Sequence, residues 1–195
     1  MSEARQSKNS SRVGRRHGPH RAPSEPSAWV LRFAPYLPDG GPVLDLACGA
    51  GRHARLFLER GHPVTAVDRD LSGIADTIGR PGLEALEIDL EDGRPFPLAG
   101  RRFAGVVVTN YLYRPLFPAL VAAVAPGGAL IYETFAKGNE GFGRPRRPEH
   151  LMNPGELLEA VRGRLRVIAY EDLIVTAPRP AAIQRICAVN EVGEA

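Results

Sequence analysis

Lysine is almost missing from this chain. Of 195 residues only Lys8 and Lys137 are lysines, so arginine carries nearly all the positive charge. That bias reads as the mark of a GC-rich genome, not of a function. Cysteine is equally scarce. Cys48 and Cys187 lie far apart, with no Cys-x-x-Cys or His-x-x-x-His spacing nearby. A zinc ribbon is therefore excluded, no disulfide framework exists, and no metal ligand set is expected. No apolar run approaches the roughly 18 residues a membrane span needs. An apolar signal-peptide core is also lacking at the N-terminus. A reducing, cytoplasmic setting and no membrane partner are expected.

What remains suits one soluble domain with a real core: 44% hydrophobic residues in a chain of 21.1 kDa. The formal charge of +3 is unevenly spread. Residues 1–26 hold six basic side chains (Arg5, Lys8, Arg12, Arg15, Arg16, Arg21) against Glu3 and Glu25. Their balance is +4, which leaves −1 for the rest of the chain. This Ser-, Arg-, Pro- and Gly-rich segment has too little apolar surface to offset its ordering entropy, and it is expected to be a disordered basic tail. The domain proper is expected to span residues 27–195. The tail is a candidate arm for nucleic acid, but no aromatics interleave its arginines as in stacking platforms. A transit peptide is the other option, and the segment has no amphipathic apolar face for it.

From Ser27 the pattern is periodic. "SAWVLRFAPYL" predicts a helix capped by Ser27. Strand-like and helix-like runs then alternate: strands at "PVLDLA", "PVTAVD", "LEALEID", "FAGVVVTN" and "ALIYETF", helices at "GRHARLFLERG", "LSGIADTIG" and "PLFPALVAAVA". Such alternation implies a parallel sheet with right-handed crossovers. "NPGELLEAV" predicts a short helix with Asn153 as N-cap and Glu156 as capping-box partner. "LRVIAYEDLIV" and "AAIQRICAVN" are joined by only "TAPRP". That connection is too short for a parallel crossover, so these strands should pair antiparallel.

"VLDLACGAGRH" (residues 43–53) puts Gly49 and Gly51 between a strand and a helix. In such a turn backbone N–H groups face a ligand. Dinucleotides and S-adenosylmethionine both use this geometry. The dinucleotide reading has Gly-x-Gly-x-x-Ala and a carboxylate, Asp68, 19 residues after Gly49. Three features oppose it. Asp45 stands four residues before Gly49, where a pyrophosphate disfavours negative charge and a methionyl ammonium welcomes it. Asp89 follows the third strand, placed to accept from an adenine amino group. The terminal antiparallel pair leaves no room for a substrate domain.

"VLDLACGAG", "AVDRD", "EIDLED", "VVVTNYLY" and "APGGALIYETF" occur in the order and spacing of class I S-adenosylmethionine-dependent methyltransferases. Over about residues 27–191 the chain resembles that family, and within it small bacterial enzymes similar to the tellurite-resistance type. The resemblance implies an α/β Rossmann-like fold: a seven-stranded, mostly parallel sheet in the order 3-2-1-4-5-7-6, an antiparallel last strand and helices on both faces. It implies S-adenosylmethionine as cofactor, with Ala47 through Gly51 wrapping its methionyl part and Asp45 orienting the amino group. Asp68 would hold the ribose, Arg69 flank the adenine, Asp89 and Leu90 meet the adenine edge, and the Asn110 carbonyl face the amino group. Plain structural roles compete: Asp45 as a cap, Asp70 in place of Asp68 as cap of the next helix, Asp89 as a loop residue. Cys48 is expected to be an inert buried thiol, and His53 and His62 ordinary surface or helix-end histidines.

The acceptor side should lie beyond the fourth and fifth strands. Tyr111 and Tyr113 are candidate pocket walls and Glu133 a candidate base. Arg144, in the long loop 136–150, is a candidate contact for a polar acceptor beneath a closing lid. The Asn/Asp-Pro-Pro-Tyr/Phe signature of certain amino-methylating enzymes is absent, which disfavours an exocyclic adenine or glutamine nitrogen. The expected acceptor is a small molecule.

Overall fold

The computed structural model describes residues 25–192. The predicted disordered tail therefore lies almost wholly outside the described residues. The first helix is α1 (Ala28–Phe33), and Ser27 caps it by accepting from the Trp29 and Val30 N–H groups. Pro35 then tightens the chain into a 3-10 turn, Ala34–Tyr36.

The strands are β1 (Val43–Leu46), β2 (Val64–Asp68), β3 (Leu83–Glu87), β4 (Phe103–Thr109), β5 (Val124–Phe135), β6 (Arg166–Val175) and β7 (Ala181–Val189). They form one sheet in the order β3-β2-β1-β4-β5-β7-β6. β1 to β5 pair in parallel, and β7 runs antiparallel to both neighbours, β5 and β6. This is the expected fold.

Helix α2 (Arg52–Glu59) joins α1 on one face, packing Trp29, Phe33 and Phe57 against Val43, Val107, Ile131 and Cys187. Helices α3 (Phe117–Ala123) and α4 (Glu156–Val161) cover the other face, where Leu120 and Leu157 meet Leu44, Val106, Val108 and Ile186. Alternate residues of β4 thus feed two cores, which is why its sequence is continuously apolar. Each fully buried Leu or Phe side chain contributes roughly 1.5–3 kcal/mol. Among the described residues no helix is long and apolar enough to cross a membrane.

Three local expectations need correction. "LSGIADTIG" forms only a 3-10 turn, Leu71–Ile74, followed by irregular turns. Gly73 presses against the glycine turn there: a Cβ on it would stand 2.6 Å from the Gly49 carbonyl oxygen. The segment serves as backing for that turn, so tertiary contact overrides its helical pattern. Strand β5 begins at Val124 and not at Ala129, because Gly127 and Gly128 pair with Asn190 beyond the end of β7. Helix α4 begins at Glu156, so Gly155 and not Asn153 takes the N-cap position. Glu156 does reach back to accept from the Asn153 N–H at 2.7 Å, but the Asn153 amide donates to the same carboxylate instead of capping the helix.

Candidate cofactor and acceptor site

A cavity of about 720 Å³ opens at the carboxyl ends of the parallel strands. Its floor is the glycine turn, where Ala47, Cys48, Gly49 and Ala50 line it. The chain alternates into left-handed conformation here, with φ of 53° at Ala47, 54° at Gly49 and 69° at Gly51. Ala47 is one of two non-glycine residues with positive φ among the described residues; the other is Asn110, also on the cavity wall. Such strain concentrates at ligand sites. Gly51 is behind the wall and not on it. A Cβ there would meet the Ile74 methyl at 2.3 Å, so glycine is needed for packing as well as for φ.

Asp68, Arg69, Asp89, Leu90 and Asn110 all line the cavity. Asp68 accepts from the Gly49 N–H at 2.8 Å and from the Asp70 N–H at 3.2 Å. The competing cap role falls to Asp70, which accepts from the Ser72 N–H at 2.9 Å. Asp68 is thereby left to face the cavity. Asp89 accepts from the Glu91 N–H at 2.9 Å, a local turn that fixes its carboxylate on the rim.

Asp45 departs from expectation. It does not line the cavity; it lies 2% exposed beneath it and accepts from the Ala54 N–H in the first turn of α2 at 2.8 Å. Burial pushes its carboxyl up to about 7, against that hydrogen bond and the nearby Arg52 charge.

The three candidate catalytic residues also stand apart from the cavity lining. Tyr113 packs against the α3/α4-side core. Arg144 is exposed. Glu133, with a side chain 16% exposed, accepts from the Ser27 hydroxyl at 2.8 Å and from Arg185 at 3.1 Å. Arg185 in turn pairs with Glu171 and stacks over the Trp29 ring, 4.6 Å from its centroid. Glu133 is part of the joint between α1 and the sheet, because side chains alternate along β5 and its own points to the α1 face. Glu133→Ala should lower the unfolding free energy by roughly 1–3 kcal/mol, the cost of orphaning buried partners. A denaturant midpoint equal to that of the unchanged protein would reject this structural role.

His53 corrects its expectation too: it is 2% exposed, and its Nε2 accepts from the Ser27 N–H at 3.1 Å. Burial, with Arg52 beside it, pushes the imidazole down to about 3, so it stays neutral and able to accept. His62 is also buried, and its Nδ1 donates to the Gly41 carbonyl at 2.8 Å. Cys48 is buried as expected, its thiol pushed up by burial and then by the Asp45 and Asp68 charges.

Sequence reasoning named Tyr111 as a pocket wall and missed several of its neighbours on the cavity lining. Arg52, Thr109, Thr134, Phe135, Pro145 and His150 line the cavity together with Tyr111. The Tyr111 hydroxyl is out of solvent near the Glu91 carboxylate, and burial, then the Glu91 charge, pushes it up. The loop expected to act as a lid contributes Pro145 and His150 to this lining. Loop 136–150 carries two 3-10 turns, Asn139–Gly141 and Pro148–His150, with Asn139 buried and its amide donating to the Pro145 carbonyl at 3.0 Å. Among the described residues no cluster of three metal-binding side chains occurs.

A family model described as a methyltransferase domain matches residues 19–159. No curated protein matches significantly. Many solved structures share the fold. TehB from Haemophilus influenzae is 16% identical at a TM-score of 0.67; the alignment covers 84% of this chain and 61% of that one. The chain thus spans about three fifths of that protein's length. The glycopeptide N-methyltransferase MtfA, solved with S-adenosyl-L-homocysteine, is 22% identical at 0.59, covering 86% and 90%. The 1,6-didemethyltoxoflavin-N1-methyltransferase of Burkholderia thailandensis is 20% identical at 0.59, covering 85% and 77%. At these identities the likeness is one of fold.

Proposed function

The chain belongs to the methyltransferase-domain family, and from that premise we propose that it transfers a methyl group from S-adenosylmethionine to a small-molecule acceptor. The observation that carries this reading is the pairing of the left-handed glycine turn with the Asp68 carboxylate in one cavity. A turn of small residues admits the methionyl part closely, and a carboxylate 2.8 Å from the Gly49 nitrogen is already oriented for a ribose diol. Asp89 on the rim and Leu90 beside it suit the adenine edge. Asp45 acts at one remove, by anchoring α2 beneath the turn and by its field.

S-Adenosylmethionine supplies a methyl on a sulfonium whose sulfur departs as a neutral thioether. The protein's part is placement: the acceptor atom must lie about 3–3.5 Å from the methyl carbon and in line with the breaking bond. The walls at the β4 and β5 ends, Thr109 to Leu112 and Thr134 to Phe135, are the surfaces that do this. They combine flat apolar faces with a few polar groups, as small-molecule sites do. The two N-methyltransferases of similar fold act on a glycopeptide and on didemethyltoxoflavin by their names, which favours a small acceptor here as well.

Calorimetry with S-adenosylmethionine and with NAD tests the cofactor. Binding of the former alone is expected. Affinity for NAD with none for S-adenosylmethionine would overturn the reading.

A further inference from the structure

Near the β5 end the cavity lining includes one histidine, exposed to solvent, and the fold holds the backbone on both sides of it. His150 ends the 3-10 turn Pro148–His150 and lines the cavity with Thr134, Phe135 and Pro145. Arg114, just after β4, donates to the Glu149 carbonyl at 2.9 Å and to the Leu151 carbonyl at 2.8 Å. These are the carbonyls on either side of His150. The same guanidinium pairs twice with Glu156 of α4, at 2.5 and 2.9 Å, and so cannot swing away. A fork of fixed geometry with four contacts is what a lysine at this position would lack. The other proton-accepting groups on the wall, Asp68, Asp89 and Glu91, sit at the β2 and β3 ends, on the cofactor half.

We propose that His150 is the proton acceptor of the methyl transfer and Arg114 the residue that positions it, so that the substrate is a planar ring compound bearing an ionisable N–H or O–H. This rests on the cofactor reading above. As the acceptor atom forms its bond to the methyl carbon, the carbon–sulfur pair returns to sulfur, and the N–H or O–H proton passes to the imidazole. Charge balances: a sulfonium is lost and an imidazolium gained. Imidazole is a common proton acceptor in such steps. The flat faces of Phe135, Tyr111 and Pro145 suit a planar ring. An acceptor that arrives already anionic would need no base here.

The test uses two ligands that differ at the methyl position. Sinefungin carries an amine where S-adenosylhomocysteine has a neutral sulfur. If the His150 ring faces the transferred methyl, that ammonium opposes its protonation. With the full chain, the imidazole is followed by NMR against pH in each complex, and His150→Gln identifies its signal among the five histidines. The charged groups near His150 in the chain or on the same cavity wall are Arg147 and Glu149 on its own loop, the Arg114–Glu156 pair, and Arg52, Asp68, Arg69, Asp89 and Glu91 of the lining. They are common to both complexes and cancel in the comparison. The His150 titration midpoint should be lower with sinefungin by at least about half a pH unit, as expected for two charges several ångströms apart in a partly wet site. Equal midpoints in two calorimetrically verified complexes would overturn the proposal while leaving the cofactor reading intact. Failure of both ligands to bind would overturn the cofactor reading and this one with it. Arg114→Gln, or Arg114→Lys should the first not fold, should bind S-adenosylhomocysteine within about twofold, since a tenfold loss takes 1.4 kcal/mol. It should also lose the difference between the two midpoints. A difference that survives in that variant would remove Arg114 from the positioning role.

Discussion

Asp45→Asn should make the protein more stable at pH 8, by up to about 4 kcal/mol, and should remove a pH dependence that the unchanged protein shows. The carboxyl is fully buried, and burial raises it from 3.8 to about 7 in the folded state. Between those values the folded chain holds a proton that the unfolded chain has released. This group's stabilising contribution is therefore complete below about pH 4. It declines as pH rises through the window and is gone above about 7, where the curve flattens. Three units at about 1.4 kcal/mol each set the size of the effect. Asparagine keeps an oxygen to accept from the Ala54 N–H, the bond that seats α2 at 2.8 Å, and carries no charge to desolvate. Urea unfolding from pH 4 to 8 reads this directly: the two proteins should match near pH 4 and separate by pH 8. An asparagine variant that is less stable at pH 8 would show that Arg52 compensates the buried charge fully. Affinity for S-adenosylmethionine should fall in the same variant, because the ligand's ammonium loses a negative charge beneath the turn. Gain of stability with loss of binding is the usual exchange at a functional site.

Asp68→Ala should weaken S-adenosylmethionine binding by about 1.5–3 kcal/mol, or roughly 10- to 150-fold, the range for hydrogen bonds to a charged group. The upper part of the range is favoured by a second loss. The same carboxylate holds the Gly49 N–H at 2.8 Å and the Asp70 N–H at 3.2 Å. Without it the glycine turn loses its tie to the end of β2, and the methionyl cradle loosens along with the ribose contact. Asp68→Asn separates the two losses: its amide oxygen still accepts from Gly49, but it meets a diol without charge. The asparagine variant should therefore bind more tightly than the alanine variant and less tightly than the unchanged protein. Equal affinity in all three, measured by calorimetry, would remove Asp68 from the site.

The cavity floor at the glycine turn was legible because its parts are local. A strand, a turn needing positive φ and a helix follow one another within residues 43–59, and backbone conformation there is written in glycines. The carboxylates Asp68 and Asp89 sit at or just after strand ends, and parallel strands deliver their carboxyl ends to one edge of the sheet by construction. The wall at the β4 and β5 ends was legible only in part: Tyr111 lines it as expected, and the three candidate catalytic residues do not. Tyr113, Glu133 and Arg144 have suitable chemistry and lie near the right ends, but which way each points is settled by its neighbours. Glu133 turns to Ser27 and Arg185, and Tyr113 to the core. His150 arrives from 17 residues beyond Glu133, through a loop whose course depends on Arg114 and Glu156.

Residue order alone thus determined the alternation of strands and helices, the antiparallel close of the sheet and the place of the glycine turn. These follow from periodicity, chain length between elements and the φ that glycine permits. Only the tertiary structure decided that Asp45 is buried and does not line the cavity, that "LSGIADTIG" backs the glycine turn as a 3-10 turn instead of forming a helix, and that a histidine in a loop reaches the cavity wall. Each depends on contacts between residues far apart in the chain, where burial and close approach outweigh local preference.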